Sequence, residues 1–328
     1  MKRVLLFVVV LLSLVLSACG GAPASSYPEQ PIEIIAPANP GGGWDTLART
    51  IQVSLETEKM VSQPLSVTNK PGGGGGVGLA YMAAQKGTDY TLVVYSPPLV
   101  INNINGTFEG KSYKDLTPLA KLITDYQIIV VKADSPYQTL EDLLNAMRAD
   151  PKAIKFAGVS SPGSMDHVAF AKIAKAAGID PKQLEYIAFA GGGEATTALL
   201  GGNVTFLSTG IGESVAQLEA GTIRALAITA PERLTSDLLK DVPTVKESGY
   251  DVTYEIWRGV FGPADLSPEA KAYWEATLKK MVESPTWKAQ LEKLNWRDAY
   301  SPSEEFTTFL GQETETYRAL LTELGFAK

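Results

Sequence analysis

Ala-Asn-Pro-Gly-Gly-Gly-Trp-Asp, at residues 38–45, is a glycine-rich turn between a predicted strand and a predicted helix. The strand covers residues 32–36, and the apolar residues of segment 44–55 recur at helical spacing. Glycine lets backbone N–H groups approach a ligand closely, and a helix N-terminus carries a partial positive charge. A strand–turn–helix unit of this kind is typical of α/β folds and favours an anion such as a carboxylate.

Three further turns have the same context. The sequence KPGGGGG at residues 70–76 and the sequence FAGGGE at residues 189–194 each join a predicted strand to a predicted helix. A serine-rich turn, SSPGS, occupies residues 160–164 and adds hydroxyl donors that carry no charge. Because ligands of open α/β sheets bind at the carboxyl ends of the strands, we expect these turns to meet at one cleft.

The beginning of the chain predicts export. Residues 1–18 are interpreted as a signal peptide, because a basic start precedes an apolar run too short to span a bilayer. The sequence LSAC at residues 16–19 resembles the bacterial lipobox, in which the cysteine is lipidated. Residues 19–28 would then form a lipidated tether that holds the protein at the membrane through Cys19, in the periplasm or on the outer face. An ordinary cleaved signal peptide with an incidental cysteine is the alternative.

Charge and composition exclude several functions. Without Lys2 and Arg3 the net charge falls from −7 to −9, and no basic run stands out, so nucleic acid is not an expected partner. The same charge repels an anionic ligand at long range, so its affinity must come from short-range N–H donors. One cysteine and one histidine, Cys19 and His167, provide neither a hydrolase triad nor a zinc site.

Nucleotide chemistry is not favoured either. The poly-Gly turn matches G-x-G-x-x-G at Gly73, Gly75 and Gly78, but any glycine run does so, and the following strand ends without the acidic residue that a dinucleotide site needs. No turn continues as a P-loop. The sequence therefore predicts no cofactor, no metal site and no catalytic residue, although carboxylate pairs for glycosidase-type chemistry are left open.

Four side chains near the turns allow two interpretations each. Asp45 either faces the ligand or caps the first helical turn, which is the more stabilising place for a carboxylate. Trp44 either forms a wall of the cleft or lies in the core. Arg258 either pairs with a ligand carboxylate or lies on the surface. His167 is interpreted as structural, because its neighbour Asp166 points elsewhere on the helix.

Four motifs in order give the chain its resemblance to a known family. They are residues 35–45 (IAPANPGGGWD), 67–76, 186–194 (YIAFAGGGE) and 241–250 (DVPTVKESGY). Together they resemble the extracytoplasmic substrate-binding component of tripartite tricarboxylate transporters over essentially the whole mature chain. The first and third turns and the Arg-Gly after Trp257 look closest to the tricarboxylate (citrate) receptor branch.

The resemblance implies an α/β, two-lobe periplasmic binding protein fold (type II, Venus-flytrap) with the ligand cleft between the lobes. Lobe 1 would hold residues 27–126 and 231–328, and lobe 2 residues 127–230, with crossovers near 126–130 and 227–233. Many relatives with dicarboxylate ligands carry Tyr-Lys-Gly where this chain has Phe-Ala-Gly at residues 189–191, so the cleft lacks that lysine.

The predicted ligand-binding residues come partly from the resemblance and partly from the interpretations above. They are Ala38, Asn39, Gly42, Gly43, Trp44, Asp45, Ser96, Ser160, Ser161, Ser164, Gly192, Gly193, Thr196 and Arg258.

These expectations describe a monomeric receptor that is not an enzyme. It would capture a small di- or tricarboxylate and deliver it to the large and small subunits of a membrane permease. The alternatives are a cell-envelope enzyme that acts on a carboxylated substrate and a ligand-loaded sensor for a signalling partner.

Overall fold

The computed structural model describes residues 27–328. The predicted signal peptide and residues 19–26 of the predicted tether, including Cys19, lie outside the described residues. Strands and helices alternate through most of the described chain, as the sequence predicts. In the described part no helix is both long and apolar enough to cross a membrane.

Ten strands form within this range. They are β1 (Ile32–Ala36), β2 (Leu65–Asn69), β3 (Thr91–Tyr95), β4 (Leu116–Lys132), β5 (Lys155–Gly158), β6 (Glu185–Ala188), β7 (Phe206–Gly210), β8 (Ile223–Ile228), β9 (Glu255–Pro263) and β10 (Arg297–Pro302).

Ten α-helices accompany them. They are α1 (Gly43–Thr57), α2 (Gly76–Ala84), α3 (Pro98–Ile104), α4 (Leu140–Ala149), α5 (Met165–Ala176), α6 (Gly192–Leu200), α7 (Ile211–Glu219), α8 (Pro268–Glu283), α9 (Pro285–Leu294) and α10 (Ser303–Leu324). Short 3-10 turns add Gly73–Gly75, Tyr113–Asp115 and Pro181–Gln183.

The strands form one curled sheet in the order β2-β1-β3-β9-β4-β7-β5-β6, and β8 and β10 also pair with β4. The outer strands are parallel, since β1 pairs in parallel with β2 and β3, and β5 with β6 and β7. All four partners of β4 run antiparallel to it. The sequence-based expectation of largely parallel sheets is therefore correct only for the outer strands.

The long strand β4 connects the two halves of this sheet. Its last contact with β9 pairs Tyr126 with Glu255, and its first contact with β7 pairs Gln127 with Gly210. The side chains before this point pack in one apolar core and most of those after it pack in two others. This arrangement is the expected two-lobe α/β fold, with the outer parallel strands of each half ending at the junction.

The segment between β8 and β9 bears on the lobe boundaries, which stay a prediction. Leu234 and Leu239 are buried in a core that includes β8, and Val245 and Val252 are buried with the second half of β4. Packing of this kind ties residues 230–252 to lobe 2. We therefore propose that the second crossover lies near residues 254–255 and not near 227–233.

The two lobes also contact each other through α5 and α10. Met165 and Val168 of α5 share a core with Tyr317 and Leu321 of α10. The amide of Asn105 donates to the carbonyl of Gly163 over 3.0 Å. These contacts hold α5 of lobe 2 and α10 of lobe 1 together at the lobe junction.

Candidate functional site

A cleft of about 910 Å³, counting the part open to solvent, lies between the lobes, and all four predicted turns line it. Turns from opposite lobes face each other in pairs. A Cβ atom on Gly191 would lie 3.2 Å from that of Asn39, and one on Gly74 would lie 2.2 Å from the Ser161 hydroxyl oxygen. The lobes therefore already touch on both sides of the cleft.

The predicted ligand-binding residues divide into two groups. Those in the lining of the cleft are Ala38, Gly42, Gly43, Trp44, Ser96, Ser160, Ser161 and Arg258. Those outside it are Asn39, Asp45, Ser164, Gly192, Gly193 and Thr196. For both groups, contact with a ligand stays a prediction.

Asp45 holds the first turn in shape. Its carboxylate accepts the Gly41 N–H at 2.9 Å and the Asn69 amide at 2.8 Å, and it binds Arg49 at 2.9 Å. Burial alone would raise the pKa of Asp45, but the hydrogen bonds from Arg49, Gly41 and Asn69 together lower it below its usual value. The structure thus places Asp45 in the first turn of α1, where its carboxylate holds the glycine turn through Gly41, and leaves it out of the lining.

The N–H of Gly43, the guanidinium of Arg258 and the carboxylate of Glu213 meet at the start of α1. A Cβ atom on Gly43 would lie only 2.2 Å from Nη1 of Arg258, so the guanidinium packs directly against the turn. The Gly43 N–H donates to Oε1 of Glu213 over 2.8 Å. Glu213 belongs to α7 in lobe 2, so this hydrogen bond joins the two lobes inside the cleft.

Arg258 is buried, and so is its partner. Its Nη2 atom lies 3.3 Å from Oδ2 of Asp125, which also accepts the indole N–H of Trp296 at 3.2 Å. Burial raises the pKa of Asp125 to about 6, while the positive charge of Arg258 opposes the shift. Nε of Arg258 has no hydrogen-bond partner within residues 27–328, so the guanidinium keeps a free donor.

Trp44 forms part of the wall and of the core. Its indole N–H donates to the Ser96 hydroxyl over 2.9 Å, and its ring meets Tyr95 edge-on at 5.3 Å. Since Ser96 accepts from Trp44, its own O–H proton is left to donate to a ligand. The Tyr95 hydroxyl donates to the Gly75 carbonyl and so fixes the poly-Gly turn against the same wall.

The serine turn is built around a buried carboxylate. Asp166 accepts the N–H groups of Val159 and Ser160 at 2.8 and 2.9 Å, and the Gln127 amide at 2.6 Å. Burial and then the charge of Glu213 raise the pKa of Asp166 to about 6. Sequence reasoning treated Asp166 only as a neighbour of His167, because nothing in the sequence shows its burial.

His167 also supports the serine turn. Its Nδ1 accepts the Gly163 N–H at 3.0 Å, and its ring stacks on Tyr186 at 4.7 Å. Burial lowers the pKa of His167 to about 4, so the ring is neutral at neutral pH. This geometry supports the structural interpretation. Ser164, at the start of α5, is fully buried, and its hydroxyl has no partner in the described chain.

The third turn is arranged differently. Ala190 and Gly191 line the cleft, whereas Gly192 and Thr196 line a smaller neighbouring cavity and Gly193 is exposed. In this conformation the third turn therefore presents to the cleft the one or two residues that precede Gly192, and not residues 192, 193 and 196 that the resemblance implies. The contact between Asn39 and Gly191 lies at the same point.

Among the cleft residues absent from the predicted site, the poly-Gly turn and Glu213 stand out. Gly72–Gly75 line the cleft although the poly-Gly turn was named only as a motif. The glycine run itself was the available signal. Glu213 had no such signal, because its spacing from Gly210 is that of an ordinary helix start.

Several backbone N–H groups in the lining of the cleft have no hydrogen-bond acceptor in the described chain. They include those of Trp44, Gly73, Gly74, Ser161, Ala190 and Gly191. Arg258 is the one Lys or Arg side chain of residues 27–328 that lines the cleft. Such a lining can bind an oxyanion from both lobes, mostly through main-chain donors. No group of three or more His, Cys, Asp or Glu side chains within the described range is placed to hold a metal ion.

Comparison with known proteins agrees with this geometry. A TctC solute binding protein from Polaromonas is 29% identical, over 91% of this chain and 100% of that one, with a TM-score of 0.63. R. palustris Rpa4515, solved with adipate, is 21% identical over 92% of this chain and 99% of that one, with a TM-score of 0.84. MatC from Rhodopseudomonas palustris, solved with bound malate, is 21% identical over 90% and 100%, with a TM-score of 0.79.

The last two likenesses show the fold, and a family match goes further. The family model of the tripartite tricarboxylate transporter family receptor, TctC, matches residues 47–326, which is most of the chain. The chain therefore belongs to the TctC family of extracytoplasmic solute-binding receptors, and it is a receptor and not an enzyme.

Proposed function

We propose that the protein captures a small di- or tricarboxylate in the cleft and delivers it to the large and small subunits of a membrane permease. The observation that carries this proposal is the set of unpaired N–H donors that both lobes present to one cleft, beside a single arginine. Family membership supports the transport role, and the malate and adipate bound by MatC and Rpa4515 support the ligand class.

Capture would follow from closure of the lobes. In an open form, each lobe offers only part of the donor set. Closure brings Gly74 to Ser161 and Asn39 to Gly191, so the ligand gains contacts that exist only when both lobes meet. The closed form would then dock on the permease, while a lipid on Cys19 keeps the receptor at the membrane surface.

Calorimetric titration with citrate, tricarballylate, succinate, malate and aspartate tests the ligand class. At least one acid should bind, and Arg258→Gln should weaken it about tenfold or more, because the cleft loses its one cation. Arg318→Gln, which removes an exposed arginine of α10, is the matched control and should bind like the wild type. Failure of every acid to bind would refute the carboxylate proposal.

Membrane anchoring and delivery have separate tests. Cys19→Ala should move the protein from the membrane fraction to the soluble fraction of cells. Uptake of the labelled acid should need the receptor and both permease subunits together. Uptake that is unchanged without the receptor would contradict the transport role.

A further inference from the structure

Glu213 places a carboxylate of the protein itself inside the cleft. Its Oε1 accepts the Gly43 N–H from the opposite lobe at 2.8 Å. Its Oε2 accepts the Thr209 hydroxyl at 3.0 Å and the Gly210 N–H at 3.4 Å, both from its own lobe. Glu213 is thus held in place by lobe 2. Its carboxylate accepts one of the N–H groups at the start of α1, that of Gly43, to which a ligand carboxylate would otherwise bind.

Arg258 lies near Glu213 but forms its ion pair with a different carboxylate, that of Asp125. Asp125 has no exposed surface, and Glu213 forms no ion pair with a Lys or Arg of residues 27–328. A Cβ atom on Gly210 would lie 2.8 Å from Asp125 Oδ2 and 3.3 Å from Glu213 Oε2. Two carboxylates and one guanidinium are therefore gathered on this wall of the cleft.

A second observation concerns the donors of this wall that have no acceptor in the described chain. Arg258 is 2% exposed, and its Nε has no hydrogen-bond partner in the described chain. The N–H of Trp44, next to Gly43 in the same helical turn, is also without an acceptor there. A ligand carboxylate can bind at Trp44, but a further carboxylate facing Glu213 would meet a like charge away from bulk water. A hydroxyl or ammonium group at that place could instead donate to Glu213.

We propose that Glu213 is a specificity-determining residue that restricts the ligand to a dicarboxylate. The ligand group that faces Glu213 is a hydrogen, a hydroxyl or an ammonium group, and not a third carboxylate. This inference rests on the proposed function and narrows its ligand class.

A matched ligand series tests the inference on the full mature protein. Glutarate, 3-hydroxyglutarate, 3-aminoglutarate and tricarballylate share one five-carbon backbone and differ in the group on its central carbon. Succinate, malate and aspartate vary the adjacent position in the same way. Titration calorimetry on the wild type should rank the hydroxyl, ammonium and unsubstituted ligands at least about tenfold above tricarballylate.

Glu213→Gln removes the charge and keeps an oxygen that can accept the Gly43 N–H. It should raise the affinity for tricarballylate relative to that for glutarate by about tenfold or more, and it should lower the affinity for the ligands that carry an ammonium group. Glu219→Gln removes the same charge from the exposed end of the same helix and should leave the ranking as in the wild type. Circular dichroism of each variant checks folding, and the ranking by wild-type protein tests the inference even if Glu213→Gln does not fold.

Three results would overturn it. Wild-type protein that binds tricarballylate as tightly as glutarate would show that Glu213 moves aside. An unchanged ranking of the ligands in Glu213→Gln, or an equal change in Glu219→Gln, would show that Glu213 does not determine the ranking. In these cases carboxylates still bind, so the proposed function stands, whereas wild-type protein that binds no acid at all refutes both.

Discussion

The first and third glycine turns look alike in sequence but are held very differently. Each has three glycines at a helix start and an acidic residue in the first helical turn. Asp45 of the first turn has hydrogen bonds from the backbone, Asn69 and Arg49, whereas Glu194 of the third turn is exposed and bonds to nothing within residues 27–328. A shared glycine pattern therefore fixes the position of a turn on the sheet but not its rigidity.

This difference assigns the two turns different parts in binding. Arg258 packs against the first turn at Gly43, while a Cβ atom on Gly193 of the third turn would meet nothing within 4 Å. We expect the ligand to engage the fixed turn of lobe 1 first and the less supported turn of lobe 2 to close on it. Four paired variants test this comparison.

The largest effect is expected from Gly43→Ala. Its Cβ would overlap Nη1 of Arg258 at 2.2 Å, so the turn or the guanidinium has to move. Ligand affinity should fall roughly a hundredfold, and the free energy of unfolding should fall by about 1–3 kcal/mol. Calorimetry and urea unfolding measure the two quantities.

Gly193→Ala is the matched change in the third turn. Alanine lowers the entropy of the unfolded chain and meets no obstacle, so stability should be unchanged or higher by up to about 1 kcal/mol. Equal losses from the two alanine variants would show that the turns are equally constrained.

A smaller effect is expected from neutralising the two acidic residues. Asp45→Asn should lower the free energy of unfolding by about 1–2 kcal/mol, because the ion pair with Arg49 is lost and the Gly41 N–H has a weaker acceptor. Glu194→Gln should change it by less than about 0.5 kcal/mol. A destabilising effect of Glu194→Gln as large as that of Asp45→Asn would contradict the comparison.

The contribution of Asp45 should also depend on pH. Its pKa is lowered in the folded state, so the folded protein holds that proton less tightly than the unfolded chain does. The stabilisation is present above the unfolded pKa of about 4 and is lost as the pH falls through the lower folded pKa. The difference in unfolding free energy between wild type and Asp45→Asn should stay constant from neutral pH to about pH 5 and shrink at more acidic pH.

The smallest loss among the variants of the first turn is expected from Arg49→Lys. Nε of Arg49 lies within hydrogen-bond distance of both Asp45 oxygens, and the Arg49 side chain is 49% exposed. Lysine keeps the charge but not the planar pair of donors, so the loss should be about 0.5 kcal/mol by urea unfolding. A loss larger than that from Asp45→Asn would mean that Arg49 supports the turn through other contacts.

Much of the fold could be predicted because local patterns encode it. Strand Ile32–Ala36 has the predicted boundaries, and helix Gly43–Thr57 includes the segment 44–55 whose apolar residues recur at helical spacing. The antiparallel strands β4 and β9 were mostly missed, because strands buried in the middle of a sheet show no alternation of apolar and polar residues.

The site divides in the same way. The positions of the turns follow from glycines next to strands, a signal that lies within a few residues. The contact between Gly43 and Glu213 joins residues 170 positions apart, and the burial of Asp166 depends on three segments that meet only in the folded chain. A single sequence carries no trace of such pairs, because the residues that meet in the cleft are far apart along the chain.

The unbroken strand β4 sets how the receptor can move. It hydrogen-bonds to β9 up to Tyr126 and to β7 from Gln127 onwards, with no loop between the two ladders. Rotation of one lobe against the other must therefore change the backbone φ and ψ angles of β4 near Tyr126 and Gln127, together with those of the second crossover. The width of the cleft therefore depends on how far β4 bends, and the free energy of ligand binding includes the free energy needed to bend this strand.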